Sequence, residues 1–308
     1  MSPRKALQFA IIGPTASGKS ALALRLAKHY EAIILSIDSL SLYRGIDIAS
    51  AKPTPKERGS IPHYGIDLID PDEPFDVLRF AELYDEAQCR AVSEKRPLIL
   101  VGGSSFYLKT LLEGISPLPP VSPEIRMRVR NRMKNLSRAY EEILRLDSIY
   151  AKHLSPSDRY RIEKALIVAY ATQEPPSRYF QTHPPIPFVR GELPLYEIVV
   201  ERSLLKERIE RRTDAMLDAG LIDETATLEF RYGRDLSAMK AIGIREVLDY
   251  FDGVYDRATL REKIVTHTAR LAKRQTTFNR SQFRGVRRAS SEELYEIILR
   301  EIFEETSS

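Results

Sequence analysis

Residues 11 to 20 read "IIGPTASGKS", an apolar run that breaks into Gly-Pro and ends in Gly-Lys-Ser. Gly13, Pro14, Thr15, Ala16, Ser17, Gly18, Lys19 and Ser20 fill every specified position of the phosphate-loop pattern. The context is also the required one. Phe9 to Ile12 reads as a buried strand, and Lys19 to about His29, with "ALALRLA" at its heart, reads as the helix that follows. Glycines let backbone N–H groups converge on an oxyanion at the positive end of a helix. Lys19 adds charge, and the Ser20 hydroxyl suits Mg²⁺. The loop thus specifies a di- or triphosphate ligand, without specifying ATP.

Working outward, "AIILSI" (Ala32 to Ile37), "PLILVG" (Pro97 to Gly102) and "LYEIVV" (Leu195 to Val200) are further continuous apolar runs, and Val77 to Ser93 has helical periodicity. Uninterrupted apolar strands alternating with helices predict an α/β fold: a phosphate-loop NTPase-like parallel sheet flanked by helices. Four prolines in Gly114 to Pro123 and five in Glu174 to Pro187 bracket a charged stretch with helical but no strand-like periodicity. We expect a core formed by residues 1–118 and 188–308, with C-terminal helices, and an all-helical insertion domain at 119–187.

The 308-residue chain is 43% hydrophobic and 29% charged, which suits one large or two ordinary globular domains. No apolar run approaches the roughly 18 residues of a membrane span. The basic start of the chain leads through a short apolar run straight into the glycine loop, so no export signal is expected. Cys89 is the single cysteine, which excludes an internal disulfide and fits a reducing cytoplasm. Net charge is only +4, yet Arg261 to Ser290 holds nine Lys/Arg against Glu262, and "EIRMRVRNRMK" (Glu124 to Lys134) is dense in basic residues against a single Glu. Either patch alone suits a solvated helix face; together they suggest a polyanionic partner.

Nucleotide hydrolases usually hold Mg²⁺ with an acid at the end of another core strand. Here "LILVGGSSFY" places Gly102-Gly103-Ser104 at that position, and Asp38, after "IILSI", is the acid at a strand end facing the loop. One carboxylate beside one polyphosphate cradle suits an acceptor that must lose a proton. The competing reading is a cap for the turn Ser39 to Ser41.

Seven segments then occur in one order: "GPTASGKSALALRLA", "IDSLSLYRGIDIASAKP", "PLILVGGSSFYLKTLLEGISPLP", "RIEKALIVAY", "RIERRTDAMLDAGLIDE", "AMKAIGIREV" and "ARLAKRQTTF". In these the chain resembles the tRNA dimethylallyltransferases of bacterial type, over residues 10 to 280. The resemblance implies that the loop binds dimethylallyl diphosphate rather than ATP, and that the dimethylallyl group passes to N6 of an adenosine on the 3′ side of the anticodon. It implies Asp38 as the base, with Lys19, Mg²⁺ on Ser20, and Arg212 offsetting charge on the leaving pyrophosphate. Arg212 follows Arg208 by four residues, which places both on one helix face; the competing reading pairs that face with Glu207 and Glu210. By the same resemblance, tRNA contacts fall on Asp38, Ser39, Leu40 and Ser41; on Ser104 and Arg126; on Tyr160, Arg161, Ile162, Glu163 and Lys164; on Lys240, Ala241, Ile242, Gly243, Ile244 and Arg245; and on Lys273, Arg274 and Gln275. Tyr43, Phe106 and Tyr107 stay unassigned between base stacking, the prenyl pocket and the core.

The chain departs from the family pattern in several places. Leu40 and Ser41 replace an Arg and a Gln, Ser104-Ser105 a Thr-Gly, Tyr160 a Gln, Lys164 an Arg, and Phe278 a Trp. Most of these lie on the implied tRNA side. A cytoplasmic, monomeric enzyme is expected. Two rivals remain at this level: a small-metabolite kinase, which would turn over ATP without RNA, and a non-catalytic RNA-binding protein, indifferent to loss of Asp38.

Overall fold

The computed structural model describes residues 7–304; the basic residues before Leu7, read above as no leader, lie outside the described residues. The sheet is built from β1 (Gln8–Ile12), β2 (Ile33–Ser36), β3 (His63–Tyr64), β4 (Leu98–Val101), β5 (Leu195–Ile198) and β6 (Arg287–Ala289). All pairings are parallel, in the order β3-β2-β4-β1-β5-β6. Every residue of β1, β2, β4 and β5 is buried, as strands covered on both faces require. The polar exception in β1, Gln8, satisfies itself by donating to the Arg190 and Glu192 carbonyls and accepting from the Tyr84 hydroxyl.

The helices are α1 (Lys19–Tyr30), α2 (Pro55–Arg58), α3 (Val77–Glu94), α4 (Ser105–Glu113), α5 (Pro123–Arg132), α6 (Leu136–Leu146), α7 (Ser148–Ala151), α8 (Arg159–Thr172), α9 (Pro176–Thr182), α10 (Arg202–Asp218), α11 (Leu221–Tyr232), α12 (Ile244–Phe251), α13 (Arg257–Gln282) and α14 (Ser291–Ile298). Helix α3 starts where Asp76 accepts the Leu78 and Arg79 N–H groups, and it buries Phe80, Leu83, Tyr84, Ala87 and Ala91 at helical spacing.

The chain divides into two compact units, one of residues up to 111 and from 189 onward, the other 112–188. The first contains two apolar cores. One joins the sheet to α1 and α14 through Phe9, Ile11, Leu26, Tyr196 and Leu294. The other joins α10 to α13 through Met216, Leu221, Val247 and Ile264, with Ile46 from the segment after β2. The second unit is all helical and packs around Val129, Ile143, Ile162 and Leu166.

The strand order positions the site. Because β4 lies between β1 and β2, the loops that follow these three strands emerge side by side at their C-terminal ends, where ligands of open parallel sheets bind. Those loops are residues 13–18, 37–43 and 102–104.

Candidate active site

The loop after β1 is held open by its own backbone. Gly13 takes φ 151° and Gly18 φ 96°. A Cβ on Gly13 would stand 3.0 Å from Ser17 Oγ and 3.1 Å from the Ile198 carbonyl, so only glycine fits. Helix α1 begins at Lys19 without a side-chain cap, which leaves its first N–H groups directed at the loop interior. The Ser17 hydroxyl is buried without a hydrogen-bond partner among the described residues. Arg208 Nη1 fastens the loop from outside, donating to the Ser17 carbonyl at 3.1 Å.

Three charges meet at this loop. Lys19 is buried, with its ammonium 3.3 Å from the Pro14 carbonyl. Burial pulls its pKa from 10.5 down to about 8; Asp38 works against that shift and Arg212 adds to it. Burial likewise lowers the Arg212 guanidinium below its ordinary value, again opposed by Asp38. The competing reading of α10 is excluded by its ion pairs: Glu210 pairs with Lys206 and Glu207 with Arg211, leaving Arg208 and Arg212 on the face toward the loop.

Asp38 caps the turn with one carboxylate oxygen and leaves the other unengaged. Its Oδ1 accepts the Leu40 N–H at 2.9 Å and closes the turn. Oδ2 takes no hydrogen bond among the described residues. The turn is set against the end of β4 by Gly102, where a Cβ would meet Ile37 C at 2.7 Å and Asp38 N at 2.9 Å. The Ser104 hydroxyl completes the joint, accepting the Ser39 N–H at 3.0 Å and donating to Ser39 Oγ at 3.1 Å.

A cavity of about 800 Å³ opens over these groups. Thr15, Lys19, Ser20, Asp38 and Arg212 line its polar part. Met216, Ala238, Ile242, Ile264 and Leu271 supply apolar wall, and Tyr43, Phe106, Tyr107 and Phe278 also reach it. Its size and mixed lining suit a small ligand with a charged head and a hydrocarbon tail. Tyr107 stacks on Phe80 with ring centres 4.6 Å apart, and burial pushes its phenol up to about 12, so it is a neutral wall at ordinary pH.

Two residues that sequence reasoning missed shape this cavity. Glu224, from α11, accepts the N–H groups of Asp47, Ile48 and Ala49 at 2.7–2.9 Å, tying the segment after β2 to the helical half. Lys52 is almost fully buried and gives its ammonium to Asp47, Asp67 and the Tyr43 carbonyl. Both stand in segments quoted above for the resemblance, but their partners lie far off in sequence or in a stretch without periodicity, so no role could be read for them.

The residues implied for RNA divide by exposure. Arg126, Tyr160 and Arg161 are exposed on the helical unit, where Lys164 Nζ stands 5.3 Å from the Tyr160 ring centre. Lys240, Arg245, Lys273 and Arg274 are exposed on the other unit. Four of the implied residues are less exposed. Ile162 and Ile244 are fully buried in their cores, so their side chains hold helices and face no RNA. Ser41 is buried and lines the cavity. Gln275 has both ends of its amide engaged inside the protein, accepting the Thr15 N–H at 2.8 Å and donating to the Gly103 carbonyl at 2.9 Å.

Comparison with known proteins places this geometry. A family model described as IPP transferase matches residues 41–282. The tRNA dimethylallyltransferase of Sulfurovum sp. is 52% identical over 95% of this chain and 97% of its own, and that of Nautilia profundicola 52% over 96% and 99%. Among solved structures, the tRNA isopentenylpyrophosphate transferase of Bacillus halodurans superposes with a TM-score of 0.70 at 28% identity, covering 98% of this chain and 99% of that one. These matches decide against the kinase reading, and the chain belongs to the IPP transferase family, among relatives named tRNA dimethylallyltransferase.

Proposed function

We propose that the protein transfers a dimethylallyl group from dimethylallyl diphosphate to N6 of the adenosine on the 3′ side of the anticodon of tRNA, releasing pyrophosphate. The observation that carries this reading is one cavity holding an anion cradle, a single carboxylate and an apolar wall. The N6–carbon bond forms as the allylic carbon–oxygen bond breaks, and the bonding electrons leave with the diphosphate. Lys19 and Arg212 offset that charge as it develops. The adenine amine is a poor nucleophile because its lone pair is delocalised, so its proton must be taken, and Oδ2 of Asp38 is the acceptor. The apolar wall excludes water, which would otherwise intercept the allylic carbon.

Magnesium fits this donor set. Ser20 offers an exposed hydroxyl next to Lys19, and the described residues include no cluster of three or more His, Cys, Asp or Glu to cage a metal. Such an ion would draw its other ligands from diphosphate oxygens and water. When bound it adds positive charge to the leaving diphosphate.

The exposed basic residues of both units would take the phosphates of the anticodon stem, with Tyr160 offering a face for an unstacked base. No helix among the described residues is long and apolar enough to cross a membrane. On this reading the enzyme works as a monomer in the cytoplasm, where its RNA substrate is found.

The test is incubation with Mg²⁺, radiolabelled dimethylallyl diphosphate and an anticodon stem-loop carrying consecutive adenosines after the anticodon, with ATP in a parallel reaction. Label should enter the RNA, and Asp38→Ala should reduce transfer by about 10²–10⁴-fold while RNA binding persists. Transfer by Asp38→Ala at the normal rate removes the base assignment. ATP consumption without RNA labelling removes the transferase reading.

A further inference from the structure

Helix α13 presents Leu271, Gln275 and Asn279 at successive i, i+4 positions, hence along one face. Asn279 anchors that face. It is fully buried, donates to Glu197 Oε1 at 2.8 Å and accepts from Ser105 Oγ at 2.5 Å. One turn earlier, Gln275 bridges two loops of the active site: Oε1 receives the Thr15 N–H of the phosphate loop, and Nε2 gives its proton to the Gly103 carbonyl after β4. The task suits an amide, which carries an acceptor oxygen and a strong N–H donor side by side on one planar group. The space for it comes from Gly103, where a Cβ would stand 2.4 Å from Gln275 Nε2.

The residues just before Gln275 reach solvent. Lys273 and Arg274 are exposed, and Arg274 also borders the cavity. The side chains proposed to hold RNA phosphates thus immediately precede, in sequence, the side chain that holds the phosphate loop. A loop N–H fixed by a helix, rather than by the loop itself, takes its position from that helix.

We infer that Gln275 is a positioning residue that couples the RNA seat on α13 to the diphosphate seat on residues 13–20, so that each substrate binds more tightly when the other is in place. This rests on the proposed function. RNA phosphates on Lys273 and Arg274 restrict α13; Gln275 carries that restriction to Thr15, and the diphosphate then meets a loop already ordered. By linkage the effect is reciprocal, and couplings of this kind commonly amount to about 5- to 150-fold.

The experiment uses the full chain with Mg²⁺ and the unreactive donor analogue dimethylallyl thiodiphosphate, titrated with and without saturating anticodon stem-loop. In the wild type, the RNA should tighten analogue binding at least about fivefold, and the analogue should tighten RNA binding by the same factor. Gln275→Met keeps the length and bulk of the side chain and removes both hydrogen bonds. It should bring the factor to within about twofold of unity, with RNA affinity in the absence of the analogue unchanged. Gln275→Glu keeps the acceptor for Thr15 but sets a carboxylate against the Gly103 carbonyl, and should lose the coupling too. Coupling that survives in both variants, or a wild type without coupling, overturns the inference. Failure of the wild type to transfer dimethylallyl label to RNA would instead overturn the proposed function, whatever the coupling.

Discussion

Gly102→Ala tests whether the end of β4 sets the position of Asp38. The added Cβ would lie 2.7 Å from Ile37 C, 2.8 Å from Ile37 Cγ1 and 2.9 Å from Asp38 N. Carbon contacts are comfortable at about 3.5–4.0 Å, so something must retreat by roughly 0.7 Å. Two of the three obstructing atoms belong to the backbone that carries Asp38, and the third to the fully buried side chain of Ile37. The turn itself must move. Overpacking of this kind costs about 1–3 kcal/mol, which in a chain of this size lowers Tm by roughly 1.5–5 °C. The catalytic effect should be larger, since a misplacement near 1 Å costs about 10²-fold in rate. Label transfer at saturating substrates should therefore fall by about 10- to 100-fold, with stem-loop affinity within about twofold of wild type. A Gly102→Ala protein that transfers at the normal rate would refute the idea that this contact places the base. Loss of rate together with loss of RNA binding would show general damage rather than displacement.

Two further predictions address the charges. Lys19 titrates at about 8 in the free protein instead of 10.5, and a bound diphosphate needs the ammonium. kcat/KM for the donor should accordingly fall above about pH 8, by as much as tenfold per unit, and Lys19→Met should abolish that limb of the profile. The sign also fixes a stability effect: between about 8 and 10.5 the unfolded chain holds this proton and the native chain has released it, so the contribution of Lys19 to stability rises with pH through that window. On the RNA side, Lys273→Ala combined with Arg274→Ala should weaken stem-loop binding and reduce the slope of log K against log salt by roughly 1.5. An unchanged slope would turn this face of α13 away from the RNA.

What was legible in the sequence was whatever a short window can specify. The strands β1, β2, β4 and β5 announced themselves because burial on both faces demands unbroken apolar runs; Arg212 was marked by the family motif, and its i, i+4 spacing from Arg208 added only that the two share a helix face. β3 and β6 did not announce themselves. β3 has two residues, and β6 reads Arg-Arg-Ala within a basic stretch; its strand geometry comes from pairing with Tyr196, Glu197 and Ile198. Arg288 is drawn there by the buried carboxylate of Glu197, 2.7 Å away. Family motifs mark positions, not orientations. Ile162 and Ile244 stand inside segments tied to RNA, yet their side chains are core, and Gln275 belongs to a basic helix but turns its amide inward.

The end of β4 explains how a phosphate loop is compatible with a reaction that transfers carbon rather than phosphorus. Nucleotide hydrolases use an acid near this position to hold the metal. Here Gly102 must lack a side chain so that the Asp38 turn can approach, Gly103 must lack one so that Gln275 can enter, and Ser104 is spent on Ser39. An acid at 102 or 103 would displace either the turn or the amide, and with it the geometry of the cavity. The site is left with one carboxylate, and that carboxylate stands on β2, across from the loop. A lone base opposite a cationic cradle suits an acceptor that must shed a proton while an anion departs. The absence of acid at the end of β4 is thus tied, through two close contacts, to the presence of the base at the end of β2.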